Sequence, residues 1–179
     1  MNNKKILLAV LFLTVISLLV IGCAPKEPEP ADTEALPNWR DAEFTDVATG
    51  KTFKVSDFKG KPVLLESFAV WCPQCTQQQR KIRELHQEIG DAVISISIDT
   101  DPNEDESTVQ EYLTLHGFNW FFAVSPVAVT RSLIDEFGIG GVNAPAAPVV
   151  LVCKDQSARL LGRGVKSAAE LKSELEKGC

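Results

Sequence analysis

The feature that most constrains the fold of this chain is a pair of cysteines, Cys72 and Cys75, between a strand-like run and a helix-like run. Residues 62–70 are mostly apolar, as a buried strand requires. After the cysteines, apolar residues recur at helical spacing from Ile82 to Ile89. The polar residues of that helix are predicted to face water: Gln77, Gln78, Arg80, Lys81 and Arg83. A strand that leads directly into a helix, with two thiols at the joint, predicts an α/β fold.

The position of the two cysteines favours redox chemistry. Cys72 lies beside the free backbone N–H groups and the positive dipole end of the predicted helix, which favour a thiolate. Pro73 can begin that helix without losing a hydrogen bond, and Cys75 follows one turn later. The alternatives are a zinc half-site or a buried cysteine pair, but a zinc site needs about two more ligands in compact spacing. The other candidate ligands are scattered singly along the chain: Cys153, Cys179, His86 and His116. Neither histidine is expected to be the active base. We therefore expect a redox-active disulfide and no metal.

The N-terminus has the layout of an export signal. Residues 2–5 include two lysines, residues 6–21 form an apolar run of 16, and residues 20–23, Val-Ile-Gly-Cys, end it with a small residue and a cysteine. The run is shorter than the ~20 residues of a transmembrane helix, and its end resembles the lipobox of bacterial and archaeal lipoproteins. That resemblance implies cleavage before Cys23 and a lipid on its sulfur, while an uncleaved signal anchor is the alternative. Both arrangements place the domain outside the cytoplasm, periplasmic or on the outer face, and tethered to a membrane.

The rest of the chain divides into a spacer and one domain. We predict a signal peptide over residues 1–22, a lipidated cysteine and a spacer rich in proline and acids over residues 23–38, and a folded domain over residues 39–179. Without residues 1–23 the chain has 16 basic and 24 acidic side chains, a formal charge of −8. Such a surface disfavours nucleic acid and adsorption on anionic lipid, so the anchor is expected to be the membrane link.

Within the domain, strand-like and helix-like segments alternate. Strands are predicted at residues 43–47, 52–55, 62–70, 92–98, 120–124, 148–153 and 159–162. Helices are predicted at residues 73–89, 107–116, 127–137 and 167–177. This order predicts an α/β three-layer sandwich in which helices flank a mixed central sheet.

Several motifs occur in an order typical of one superfamily. They are Phe44-Thr45-Asp46-Val47, Gly50-Lys51, Val55 through Leu65, Ala69 through Cys75, Phe137-Gly138-Ile139 and Pro148-Val149-Val150-Leu151. Together they resemble the thioredoxin superfamily over residues 43–177 and, within it, the membrane-tethered TlpA/ResA-like thiol:disulfide reductases, some of which serve cytochrome c maturation. The resemblance implies a thioredoxin-like fold, a monomer with no cofactor, disulfide-containing protein substrates and a membrane electron donor.

The resemblance also implies roles for residues around the dithiol. Pro148 resembles the cis-proline that faces the dithiol in this superfamily and leaves the backbone of Ala147 free to pair with an extended substrate. Pro145 is the rival position for that proline. Trp71 resembles the tryptophan that shields one side of the dithiol. Two residues between the cysteines complete the expected active-site surface: Pro73 and Gln74.

Glu66, six residues before Cys72, stands where thioredoxins carry a buried aspartate beneath the disulfide. A carboxyl group in an apolar strand is costly unless it is neutral or paired, so burial is expected to raise its pKa. Such a group can take the proton from Cys75 when that thiol attacks a mixed disulfide. The alternative is that Glu66 reaches solvent or Lys61.

The remaining cysteines, Cys153 and Cys179, end a predicted strand and the last predicted helix. In a thioredoxin-like layout both would lie at the end distal to the dithiol. A structural disulfide between them would close a loop of about 26 residues and add ~3 kcal/mol. The alternative is a buried Cys153 and a free Cys179.

The expected reaction is thiol–disulfide exchange, in which Cys72 attacks and Cys75 resolves the mixed disulfide. An oxidase or isomerase would use the same residues at a less reducing potential. A thiol peroxidase of the peroxiredoxin type would need Thr or Ser at the position of Ala69 and Pro at that of Leu65. A metal-binding lipoprotein of related fold would need wider cysteine spacing and a suitably placed histidine.

Overall fold

A five-stranded sheet forms the centre of the fold in the computed structural model, which describes residues 35–179. Its strands are Val63–Phe68 (β3), Ile94–Asp99 (β4), Phe121–Val124 (β5), Val149–Val152 (β6) and Ala158–Leu160 (β7), in the order β5-β4-β3-β6-β7. The first three strands of that order are parallel, whereas β6 is antiparallel to both β3 and β7. The predicted mixed sheet is therefore confirmed. A separate antiparallel hairpin joins Phe44–Thr45 (β1) to Thr52–Phe53 (β2).

Four helices cover the two faces of the sheet. They are Pro73–Ile89 (α1), Glu106–His116 (α2), Val127–Phe137 (α3) and Ala168–Lys177 (α4). Residues of β3 and β4 alternate between the faces: Val63 and Leu65 pack with α3 and the hairpin, while Leu64 packs with α1 and α4 and Phe68 with α1 and α2. Both faces of β3 are thus buried, which explains its nearly continuous apolar sequence. The result is the predicted three-layer sandwich.

Local sequence sets the helix ends. Asp105 caps α2 by accepting a hydrogen bond from Thr108 N at 2.8 Å. Ser167 and Glu170 form a reciprocal capping box at the start of α4. The predicted bounds of strands and helices agree with the structure to within three residues, because polar caps and the apolar period both mark them.

Three predictions concern the N-terminal part of the chain. The signal peptide, the lipidated Cys23 and the spacer as far as residue 34 lie outside the described residues, so these assignments stay predictions. Described residues from Leu36 onward form one compact unit. No helix within residues 35–179 has the length and apolar character needed to cross a membrane.

Candidate active site

Cys72 and Cys75 lie where β3 gives way to α1. Cys72 is the N-cap residue, and its Sγ accepts a hydrogen bond from Cys75 N at 3.1 Å, while Pro73 is the first helical residue. The two cysteines are joined in a disulfide with their Cα atoms 5.3 Å apart. The 17-residue helix directs its positive dipole end toward Cys72. That field favours a thiolate at Cys72 when the disulfide is reduced.

A short segment, residues 143–147, covers the dithiol; we call it the covering segment. Within it, Ala144–Ala146 form one turn of 3₁₀-helix. The carbonyl oxygen of Ala144 lies 3.3 Å from Cys72 Sγ and 3.0 Å from Cys75 Sγ. As a result, Cys72 is 1% exposed and Cys75 is 0% exposed. The sulfur atoms therefore meet a backbone carbonyl rather than open solvent.

The predicted cis-proline at Pro148 is wrong, because every peptide bond within the described residues is trans. The chain reverses instead at Ala147, which has left-handed backbone angles (φ 46°, ψ 57°). That turn brings the chain into β6 with the more stable trans bond before proline. Pro148 is buried, and its carbonyl accepts a hydrogen bond from Ser67 N at 3.3 Å. The group opposite the sulfur atoms is thus the carbonyl of Ala144, three residues before Ala147.

An apolar groove of about 400 Å³ opens beside the covering segment. Its lining includes Trp71, Pro145, Ile134 and Ile139. Trp71 is 58% exposed and Ile139 is 69% exposed, which is unusual for side chains of this size and polarity. The residue before Cys72 and the rival proline of the sequence analysis therefore share one accessible apolar surface.

The loop after β4 positions the two residues that precede Cys72. Trp71 Nε1 donates a 2.6 Å hydrogen bond to Asp101 Oδ2, which lowers the pKa of that carboxyl group. Val70 N donates to Glu104 Oε2 at 2.9 Å. Burial raises the pKa of Asp99 to about 8, and the neighbouring Glu104 carboxyl contributes in the same direction. This acidic loop therefore does more than cap α2.

Glu66 is 0% exposed and reaches neither solvent nor Lys61. Burial raises its pKa to about 8, against the opposing effects of Ser97, Gln79 and Lys166. Ser97 Oγ donates to Glu66 Oε2 at 2.8 Å and itself accepts from Trp120 Nε1 at 3.0 Å. Among the described residues, Glu66 Oε1 has no hydrogen-bond partner. Glu66 is therefore a carboxyl group that holds its proton at neutral pH and has a free oxygen.

The face of α1 below Cys75 is polar yet buried. Gln78 and Gln79 are both 0% exposed, so the prediction that Gln78 faces water is wrong. Gln78 Nε2 donates to Lys166 O at 3.2 Å, and Gln78 Oε1 accepts from Lys166 N at 2.7 Å. The Gln79 amide is close enough to Glu66 to lower its pKa. Gln78 and Gln79 follow Cys75 by three and four residues and so share its helix face, which joins Glu66 and Lys166 to the helix that carries the dithiol.

The other predicted positions lie outside this cluster. Gln74 is exposed on the first turn of α1. Cys153 and Cys179 are joined in a disulfide, with Cα atoms 6.0 Å apart. His86 Nε2 lies 2.9 Å from Ser95 Oγ, in a structural hydrogen bond. Within residues 35–179, no three His, Cys, Asp or Glu side chains are placed to hold a metal ion.

Sequence reasoning missed three contributors to the site. Ala144 acts through a backbone carbonyl, which has no signature in the side-chain pattern. Lys166 is a lone lysine far from the cysteine motif in sequence. Trp120 lies outside the cysteine motif, but its indole donates to the hydroxyl that binds Glu66. A signal for that hydroxyl did exist, since Ser97 interrupts an apolar strand in register with Glu66.

Sequence similarity to known proteins supports the assignment of this chain to the same superfamily. The family model of the redoxins matches residues 31–168. Thiol-disulfide oxidoreductase ResA of Bacillus thuringiensis (strain Al Hakam) is 25% identical over 177 residues, covering 95% of this chain and 95% of that relative. The match agrees with the resemblance drawn from the sequence motifs.

Solved structures share the fold. A thiol:disulfide interchange protein of the thioredoxin family from Chlorobium tepidum TLS aligns with a TM-score of 0.62 at 17% identity, over 76% of this chain and 92% of that one. The pneumococcal exposed lipoprotein thioredoxin of Streptococcus pneumoniae aligns with a TM-score of 0.59 at 20% identity, over 76% of this chain and 98% of that one. The thioredoxin-like fold is therefore confirmed.

Proposed function

The chain belongs to the redoxin family, and we propose that it is an extracytoplasmic thiol:disulfide oxidoreductase that reduces disulfides of partner proteins through Cys72 and Cys75. The observation that carries the proposal is the cysteine pair itself. One sulfur caps a long helix, the two sulfur atoms lie within disulfide distance, and Gln79 of the same helix interacts with the buried Glu66 carboxyl group.

The reaction has two exchange steps. In the reduced protein, the Cys72 thiolate attacks one sulfur of the partner's disulfide, forms a mixed disulfide and releases the partner's other sulfur as a thiolate. Cys75 then gives its proton to the carboxylate form of Glu66, which becomes more populated as the pH approaches 8, and attacks Cys72 Sγ, which forms the Cys72–Cys75 disulfide and releases the partner's second thiolate. Two electrons pass to the partner. Each new cycle needs a dithiol donor, for which we propose a membrane protein.

Each buried group has a defined part in these steps. The helix dipole lowers the cost of a thiolate at Cys72. Glu66 is poised as a proton acceptor because its raised pKa of about 8 is close to that of an ordinary thiol. For Cys72 to react, the Ala144 carbonyl has to move from its position against both sulfur atoms. The partner's backbone can then take the place of the covering segment.

The groove beside the covering segment suits an extended, apolar stretch of the partner. Trp71 and Ile139 provide its most exposed apolar surfaces. We propose that Trp71, the covering residues Ala144 and Pro145, and Ala147 at the base contact the partner chain. Pro73 and Gln74 are exposed on the first turn of α1, and we propose that they contact the partner as well.

We also propose that Cys23 carries a lipid that tethers a monomeric domain to the membrane. The support is the sequence of residues 1–23, together with the description of a structural relative as an exposed lipoprotein. The disulfide of an apocytochrome c is one substrate that we propose for such a tethered reductase. Labelling with a lipid precursor tests the anchor: Cys23→Ser is expected to lose the label, and a variant that keeps it contradicts lipidation.

Trapping tests the proposed reaction. In the full chain, Cys75→Ser is expected to accumulate mixed disulfides between Cys72 and partner proteins on non-reducing gels, because the resolving thiol is gone. The matched control is Cys72→Ser/Cys75→Ser, which keeps Cys153 and Cys179 and is expected to form no such adducts. An absence of adducts while alkylation shows a free Cys72 thiol contradicts the proposal. The reduction potential of the pair then fixes the direction of electron flow.

A further inference from the structure

Lys166 is a lysine that is almost completely buried. It is 7% exposed, in the turn before α4, and its Nζ donates a 2.6 Å hydrogen bond to the carbonyl oxygen of Ala147. Among residues 35–179 this carbonyl is the one hydrogen-bond partner of its ammonium. Burial of an ammonium group with a single neutral acceptor is costly. This free-energy cost suggests a functional role for the Lys166 ammonium group.

The backbone of Lys166 is fixed to the cysteine helix. Gln78, one turn after Cys75, bonds both the N–H and the carbonyl of Lys166, at 2.7 and 3.2 Å. The side-chain amide and the main chain thus form a closed, two-bond pair inside the protein. Any displacement of the Lys166 backbone has to break this pair, so the point from which its side chain extends is fixed relative to α1.

The ammonium of Lys166 also interacts with Glu66. The positive charge of Lys166 lowers the pKa of Glu66, and the negative charge of Glu66 raises the pKa of Lys166. Burial opposes both effects and leaves each pKa at about 8. Two neighbouring groups interact with the pair: the charge of Glu170 of α4 raises the pKa of Lys166, and the charge of Glu66 raises the pKa of Tyr112 of α2.

We propose that Lys166 is a positioning residue of the exchange reaction: it holds Ala147 at the base of the covering segment and keeps a positive charge beside Glu66. The proposal rests on the proposed function. It makes one buried side chain the link between the proton acceptor of Cys75 and the segment that covers the sulfur atoms.

The direction of the effect follows from charge. The resolving step needs Glu66 as a carboxylate, and a neighbouring ammonium stabilises that form. Removal of the ammonium therefore moves the midpoint for the rise of the resolving rate to higher pH, by about one unit, the low end for a neighbouring opposite charge. Below the midpoint, the rate at a fixed pH then falls about tenfold, because a pKa change of one unit is a factor of ten in the ionised fraction.

The test compares pH profiles in the full chain. Lys166→Gln removes the charge but keeps an N–H donor for Ala147, whereas Lys172→Gln changes an exposed lysine of α4 and is the matched control. Single-turnover reduction of insulin by the reduced protein is followed by tryptophan fluorescence from pH 5 to pH 10. We expect the upward shift in Lys166→Gln and none in Lys172→Gln. In a Glu66→Gln background, Lys166→Gln is expected to cause no further shift.

Two more substitutions keep the proposal falsifiable if Lys166→Gln does not fold. Lys166→Arg retains the charge and is expected to keep the parent midpoint, whereas Lys166→Met loses both charge and hydrogen bond and is expected to shift. Superimposable profiles of parent and folded Gln or Met variants overturn the proposal, as does an equal shift in the Arg variant or in the Glu66→Gln background. A parent that exchanges no disulfide at any pH refutes the proposed function instead, so the two failures are distinguishable.

Discussion

Glu66→Gln has a consequence for stability that can be worked out from the structure. Burial raises the pKa of Glu66 from 4.5 to about 8, so the folded state holds this proton more tightly than the unfolded state does. The stability from that proton is fully present below pH 4.5 and is lost as the pH rises toward 8. Gln is similar in size and does not titrate. Relative to the parent, the variant should therefore gain free energy of unfolding at about 1.4 kcal/mol per pH unit, in total ~4–5 kcal/mol.

Other titratable groups do not mask the pH dependence of the stability difference between Glu66→Gln and the parent. Lys166, whose pKa is lowered to about 8, is protonated in both states over most of the interval. Asp99 also titrates near pH 8 but is the same in both proteins, so its effect cancels in the difference. The disulfide form is used because its cysteines do not titrate.

The measurement is guanidinium unfolding of the oxidised full chain in mild detergent, at half-unit steps from pH 4.5 to pH 8.5. Glu88→Gln, an exposed glutamate of α1, is the matched control and should differ from the parent by a constant amount. A difference between Glu66→Gln and parent that stays flat with pH would refute the reasoning, because Glu66 would then titrate as an ordinary carboxyl group in the folded state.

Two further predictions concern stability away from the dithiol. Replacing both Cys153 and Cys179 by Ser should lower the free energy of unfolding by about 3 kcal/mol, because their bond closes a 26-residue loop; mass analysis without reductant should show this bond, and an unchanged stability would argue against it. Gly141→Ala should cost ~1–3 kcal/mol in denaturant unfolding, because the new Cβ would meet Phe137 Cβ at 2.9 Å. Gly162→Ala, where a Cβ meets nothing within 4 Å, is its control, and equal losses at both glycines would contradict the packing argument.

Much of the fold was predictable from sequence because its signals are local. The strands of the central sheet coincide with apolar runs, and the capping box of Ser167 and Glu170 marks the start of α4. The joint between β3 and α1 was predictable for the same reason, since Cys72 as cap and Pro73 as first helical residue are both read within a few positions. The position of the dithiol therefore needed no tertiary information.

The polar interior was not predictable, because it depends on contacts between distant segments. Gln78 lies in a polar stretch that predicts a solvent-facing side chain. It is buried because its amide forms hydrogen bonds with both the N–H and the carbonyl of Lys166, 88 positions later. The failure at Pro148 has a related cause. A left-handed alanine at position 147 reverses the chain, and that conformation is rare enough for alanine that no sequence rule anticipates it.

The carbonyl of Ala144 against both sulfur atoms has a consequence for selectivity among reductants. A small free thiol that meets the oxidised protein finds almost no accessible sulfur, and it has too few contacts to compensate for displacing the covering segment. A protein partner that fills the groove beside Trp71 can supply that energy through its own binding. We therefore expect the covered disulfide to exchange electrons faster with docked proteins than with low-molecular-weight thiols.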